Sequence, residues 1–140
     1  MNARLTYLYA GIVFQLTAAM CSAQSSATAT YLELHKKELA ATSYADILPL
    51  RSKTSIAHDK PMSNEEKKFL FPLFKSTLPK QVTIVNEQIN GTSAILTATA
   101  KPETQNANTT EKTTGVIELT LEDGQWKIER EKWDSKVVMK

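Results

Sequence analysis

At Pro79 the hydrophobic pattern of the chain changes period. Before it, residues 27–41, ATATYLELHKKELAA, are mostly good helix formers, and Thr28, Leu32, His35 and Leu39 recur at helical spacing. A short second helix is expected at SYADILPL, where Ser43 caps and Pro49 limits its extension. The strongest helix start is SNEEKKFLFPLFKSTL, in which Ser63 and Glu66 form a capping box and the early acids suit the positive end of the helix dipole. Phe71, Phe74 and Leu78, with Leu70 and Leu73 beside them, are expected to supply its buried face, and Pro72 predicts a kink or a break.

After Pro79 the residues alternate. QVTIVNEQI and TSAILTATA flank an Asn90-Gly91 hairpin turn, and GVIELTL and QWKIEREKW flank EDG, so at least four antiparallel strands are expected. Residues 101–113, KPETQNANTTEKT, carry almost no apolar side chain and read as a long exposed connection. Ile117, Leu119 and Leu121 alternate with Glu118, Thr120 and Glu122, and Trp126 and Ile128 alternate with Lys127 and Glu129. One face is apolar and the other wet, so helices cover one side only. The fold class is α+β: N-terminal helices packed on one face of a curved antiparallel sheet of at least four strands.

Residues 1–23 have the layout of a secretory signal peptide: Arg4, an apolar stretch from about Leu5 to Leu16, then small residues. The apolar run is too short for the roughly 20 residues of a membrane-spanning helix, so no transmembrane anchor is expected after processing. Cys21 and Ala23 satisfy the small-residue rule for cleavage before Gln24, leaving residues 24–140 as a single domain without cysteine. The rival reading is a lipid anchor on Cys21, which the bulky Met20 and the alanine at position 18 argue against. The expected address is the periplasm or the outside of the cell. With 17 basic and 15 acidic residues in the whole chain, no strong field for nucleic acid arises.

The order of helix, short helix, capped helix and antiparallel sheet, closing in DGQWKI, resembles the nuclear transport factor 2-like superfamily, in particular small exported bacterial members. Asp123, Gly124, Trp126, Lys127 and Ile128 stand at the positions of its closing turn and strand, and SYADILPL resembles the region between its first helices. The resemblance implies a cone-shaped sheet wrapped around one helix, with a cavity that is an active site, a ligand pocket or filled core. It also implies that the outer sheet face often makes homodimers. Fold alone chooses none of these.

Enzymes of that superfamily place an Asp or a His-Asp pair inside the cone. The inward strand positions here read as Val, Ile, Leu, Ala, Thr and Trp, with no carboxylate on the apolar face. His35 and Asp46 remain the weak catalytic candidates, with Tyr44 beside them, and His58-Asp59 reads as a surface loop. Without a mature cysteine, and with two separated histidines, no zinc spacing exists, and no metal or cofactor is expected. Phosphate loops, dinucleotide loops and hydrolase elbows have no matching motif. The C-terminal KIEREKWDSKVVMK reads as a strand end and a loose tail.

The leading expectation is an exported non-enzymatic binding module for a partner protein or a small apolar ligand, its pocket drawn from Tyr31, His35, Tyr44, Phe74 and Trp126. A lyase or isomerase using His35 and Asp46 as acid-base groups is the alternative, and an envelope interaction or immunity-type protein the third.

Overall fold

A computed structural model describes residues 26–102 and 108–139; the signal-like segment, Gln24 and Cys21 lie outside them. Helix α1, Ala27–Ala40, starts at Ser26, whose hydroxyl accepts from the amide of Ala29. Helix α2, Tyr44–Ile47, runs into a tight 3-10 turn, Leu48–Leu50, at the expected Pro49. A short helix α3, Lys53–His58, occupies a stretch that the sequence marks as loop, capped by the side chain of Ser52. Helix α4 is Asn64–Thr77, and its capping box forms as expected between Ser63 and Glu66.

Two expectations about α4 fail. The helix runs unbroken through Pro72, whose ring faces solvent. Of its expected buried face only Leu78, at the C-cap, is buried: Phe71 and Phe74 are half-buried, while Phe69, Leu70 and Leu73 are exposed. The helix lies on the periphery, tied to α1 by Lys75, whose Nζ donates to the carbonyls of Glu38, Leu39 and Ala41. A cation there completes the carbonyl end of α1, where the helix dipole is negative.

The sheet is a plain antiparallel meander, β1 (Val82–Asn90), β2 (Ser93–Ala100), β3 (Thr109–Glu122) and β4 (Gln125–Met139). Asp123 and Gly124, both with positive φ, make the last turn. The ends of the last two strands correct the sequence reading: residues 109–113 belong to β3, not to a connection, and β4 continues through the supposed tail. Ladder pairing between the two explains both, because Thr109 faces Met139 and Lys112 faces Lys136.

On the inner face Leu96, Ala98, Ile117, Leu119 and Ile128 are essentially solvent-free and meet Ala27, Tyr31 and Leu34 of α1. Each large aliphatic side chain contributes about 1.5–3 kcal/mol by leaving water. The buried stripe of α1 is Ala27, Tyr31, Leu34, His35 and Glu38, rotated from the Leu32–Leu39 face suggested by hydropathy. Gly115 lies on the same inner face, opposite Trp133. A Cβ at Gly115 would stand 2.5 Å from the indole ring, so Gly115→Ala is expected to destabilise by about 1–3 kcal/mol, read from urea unfolding followed by tryptophan fluorescence.

One irregularity positions the site. Leu119 pairs with Ile128 but Glu118 pairs with Arg130, so Glu129 is an extra residue, a β-bulge. Its carboxylate accepts from the hydroxyls of Ser52 and Thr120, and the amide of Ser52 donates to the carbonyl of Ile128. The bulge shifts the alternation by one: Trp126 and Ile128 point inward before it, Glu131 and Trp133 after it.

Candidate functional site

Glu131, carried inward by the bulge, meets the buried stripe of α1 and the residue after the 3-10 turn. The hydroxyl of Tyr31 donates to Glu131 Oε1 at 2.6 Å. Arg51 Nη2 donates to Glu131 Oε2 at 3.3 Å and to Glu38 Oε1 at 2.7 Å, and its guanidinium lies 5.6 Å from the centroid of the Phe74 ring. Glu38 is wholly buried, which a carboxylate tolerates only when paired.

His35 closes the cluster. Its Nε2 lies 2.7 Å from the carbonyl of Pro79, which can only accept, so Nε2 carries a hydrogen. Nδ1 faces Glu38 Oε2 at 3.7 Å, and among the described residues neither atom has another hydrogen-bond partner. Two facing acceptors repel unless a proton lies between them. Burial, the largest single influence on His35, opposes its charge, yet Glu38, the Pro79 carbonyl and Glu131 together carry its pKa above the usual value. With His35 and Arg51 positive and Glu38 and Glu131 negative, the cluster is neutral.

Burial and the neighbouring Glu38 push Glu131 up to about 7, against the lowering influence of Tyr31 and Arg51. Burial, reinforced by Glu131, pushes the Tyr31 phenol up as well, so it stays a donor. Glu131 therefore exchanges its proton near neutrality, while His35 keeps its own above the usual imidazole range. The spacing of His35, Glu38 and Glu131 would also suit a metal ion, the three offering ligand atoms within 4.8 Å of one another. Arg51 already supplies the cation at that point, however, and a divalent ion beside it would leave the interior with excess positive charge.

The cluster lies at the back of two adjoining pockets. One, of about 210 Å³, is lined by Tyr44, Ile47, Leu48, Arg51, Ser55, Asp59 and Phe74. The other, of about 510 Å³, shares Arg51, Ser55 and Asp59 and adds His58, Glu129, Arg130 and Glu131. Among the described residues Nη2 is the guanidinium nitrogen whose hydrogen bonds hold the Arg51 side chain, while its backbone N–H closes the 3-10 turn on the carbonyl of Leu48.

Of the five pocket candidates, Tyr44 and Phe74 share a pocket. Tyr31 is core, His35 borders a separate groove between α1 and β1, and Trp126 borders another on the far side of α1. Asp46 is not brought to His35: it is exposed, and its Oδ2 caps α2 by accepting from the amides of Thr42 and Ser43 and from the Thr42 hydroxyl. His58 and Asp59 are exposed as read, although Asp59 accepts from the Tyr44 hydroxyl at 3.0 Å and so belongs to the pocket wall.

The expectation that no strand carboxylate faces inward is overturned by Glu131. A signal was present: five positions separate Ile128 from Trp133, an odd number, so two inward aromatic or aliphatic residues on one strand require an extra residue between them. Glu38 and Arg51 had no such signal, because a lone charge in a helix or after a turn reads as surface until its partner is located.

The arrangement is thus an α+β domain whose curved antiparallel sheet is lined by helices, with a buried ionic cluster at its concave side. Among solved structures it is similar to an ntf2-like protein of unknown function from Shewanella baltica OS155, at 15% identity and a TM-score of 0.44, covering 78% of this chain and 87% of that one. No protein-family model and no curated protein matches the sequence. No described helix is long and apolar enough to cross a membrane.

Proposed function

We propose that the chain is an exported, non-enzymatic binding module that recognises a polar, uncharged group of a partner protein, such as a backbone or side-chain amide, at the Arg51 pocket. The observation that carries this reading is the state of Arg51. Its Nη2 is fixed by two buried carboxylates, its guanidinium carbon lies 5.6 Å from the Phe74 ring centroid, and the residue lines two pockets. A donor held in place before binding loses little entropy on recognition. Arg51, His58 and Arg130 alternate there with Asp59, Glu129 and Glu131, so the pocket favours a dipole with both donor and acceptor over a bare ion. The filled interior argues against a small apolar ligand between sheet and helix.

The test is a ¹H–¹⁵N NMR titration with N-acetylglycine N-methylamide, a capped amide with both groups. Shifts confined to Tyr44, Ser55, Asp59 and Glu129 are expected, and their loss in Ser55→Trp, which fills the pocket while leaving every residue of the cluster chemically unchanged. Shifts centred elsewhere, or an unchanged response in the tryptophan variant, would sink the reading. The amino-terminal layout supports export, and mass spectrometry of protein from its own host would show a chain starting at Gln24, or a lipid on Cys21 instead.

A second reading, proton-transfer catalysis, draws on Glu131, which borders the larger pocket and exchanges its proton near neutrality. Both its oxygens are engaged by Tyr31 and Arg51, so it would have to release one to act. Solvent deuterium exchange into enolisable ketones, abolished in Glu131→Gln, would favour it.

A further inference from the structure

Strand β4 ends the sheet, and beyond Ile128, where the Arg51–Ser52 segment lies against it, nothing among the described residues pairs with its outer side. Strand β2 pairs with β3 only between Thr113 and Thr120, so residues 109–112 and 136–139 form a two-stranded ribbon past the sheet. Two strands alone are marginal, and this ribbon leaves Val137 64%, Val138 61% and Met139 87% exposed. An unpaired edge of this kind is a template for another strand.

The geometry points to a second copy of this chain as the occupant, with the two β4 edges pairing antiparallel about a two-fold axis at Ser135. Such an axis runs perpendicular to the sheet and keeps inner residues with inner ones, so it must pass through a residue, not between two. Centred on Ser135, Asp134 of each copy stands opposite Lys136 of the other, twice. On the other face Trp133 meets Val137, also twice, and Glu131 to Met139 is the stretch used. Centred on Asp134, the same edge sets aspartate against aspartate and Lys132 against Lys136. Centred on Trp133, it sets Lys136 against Arg130 and runs into the part of the edge that the Arg51–Ser52 segment covers.

Among the described residues Asp134 pairs with the exposed Lys132 ammonium at 3.4 Å, and Lys136 faces Lys112 across the ladder, so both side chains gain from the pairing. Lysines on an edge strand ordinarily discourage association, and here they do so against every strand that lacks an acid in register. The surface differs from the outer sheet face, where the sequence reading places a homodimer and where Ile95 and Val116 are exposed.

Sedimentation equilibrium of the purified protein tests this. The parent is expected to dimerise, Asp134→Lys and Lys136→Asp each to raise the dissociation constant by about tenfold or more, and the double swap to restore it to within about threefold. In a Cys21→Ser background, Ser135→Cys is expected to cross-link to its own copy under mild oxidation, and Lys132→Cys not to. A parent that stays monomeric, a Lys136→Asp variant that dimerises as well as the parent, or a double swap that fails to restore pairing would each overturn the proposal. Circular dichroism of every variant separates lost pairing from lost folding.

Discussion

Arg51→Ala is expected to remove about 3–5 kcal/mol of stability at pH 7, measured as a lower urea midpoint with unchanged slope. Arg51 Nη2 is the shared donor of Glu38 and Glu131, and without it these two buried carboxyl groups lose their common partner beside Tyr31 and the inner sheet. A domain of this size has about 5–15 kcal/mol in total, so the variant sits near the edge of folding. Two companions separate charge from packing. Arg51→Met with Glu38→Gln keeps the volume and removes one carboxylate, so it should lose less than the single variant. Lowering the pH to 5 should recover part of the alanine variant's stability, because folded Glu131 holds a proton that the unfolded carboxylate does not hold at neutral pH. A double variant as unstable as the single one would mean that neither lost volume over Phe74 nor the Glu38 charge dominates, and that the cost lies with Glu131 left without its donor.

The second expected result is a stability profile with its maximum on the acid side. Glu131 is raised from 4.5 to about 7 on folding, and His35 is raised from 6.5, so the folded state binds more protons than the unfolded one. Each contribution is fully present below the unfolded pKa and lost as pH rises through the folded one. Stability should therefore decline from about pH 4.5 through pH 7, with His35 extending the decline above pH 6.5. The Glu131 share is on the order of 3 kcal/mol at most. On the acid side, hydrogen bonds from Thr42 and Ser43 hold Asp46 low and those from Ser63 hold Glu66 low. Those contributions are present above the unfolded values and disappear as pH falls further. Glu131→Gln should flatten the decline between pH 4.5 and 7, its amide oxygen accepting from Arg51 and its NH₂ donating to the Tyr31 oxygen. A profile in Glu131→Gln as steep as the parent's would place the titrating proton elsewhere.

How far the sequence reaches depends on whether a feature is local. The Ser63–Glu66 capping box, the Pro49 stop, the Asp123-Gly124 turn and the alternation of Ile117, Leu119, Trp126 and Ile128 are settled by neighbours in the chain, and all were legible. The extent of β3 and β4 was not, because Thr109 and Met139 become strand only by pairing with each other. The ionic cluster was hidden for the same reason: Glu38, Arg51 and Glu131 come from three distant segments, and each alone resembles a surface charge. His35 was singled out for its helix face, but its partners are Glu38 and Pro79, not Asp46.

The bulge at Glu129 also means that inside and outside on β4 are decided by counting. Were the bulge straightened with every residue kept, plain alternation from Ile128 would send Arg130 and Lys132 toward Arg51, and Glu131 and Trp133 into water. The interior would change from balanced to strongly positive. Deleting Glu129 itself would instead leave a regular ladder, with Glu118 still opposite Arg130 and Glu131 still inward. For this strand the loss of the bulge, not of the residue, is a frameshift in space, and the hydroxyls of Ser52 and Thr120 that grip Glu129 are what hold the reading frame.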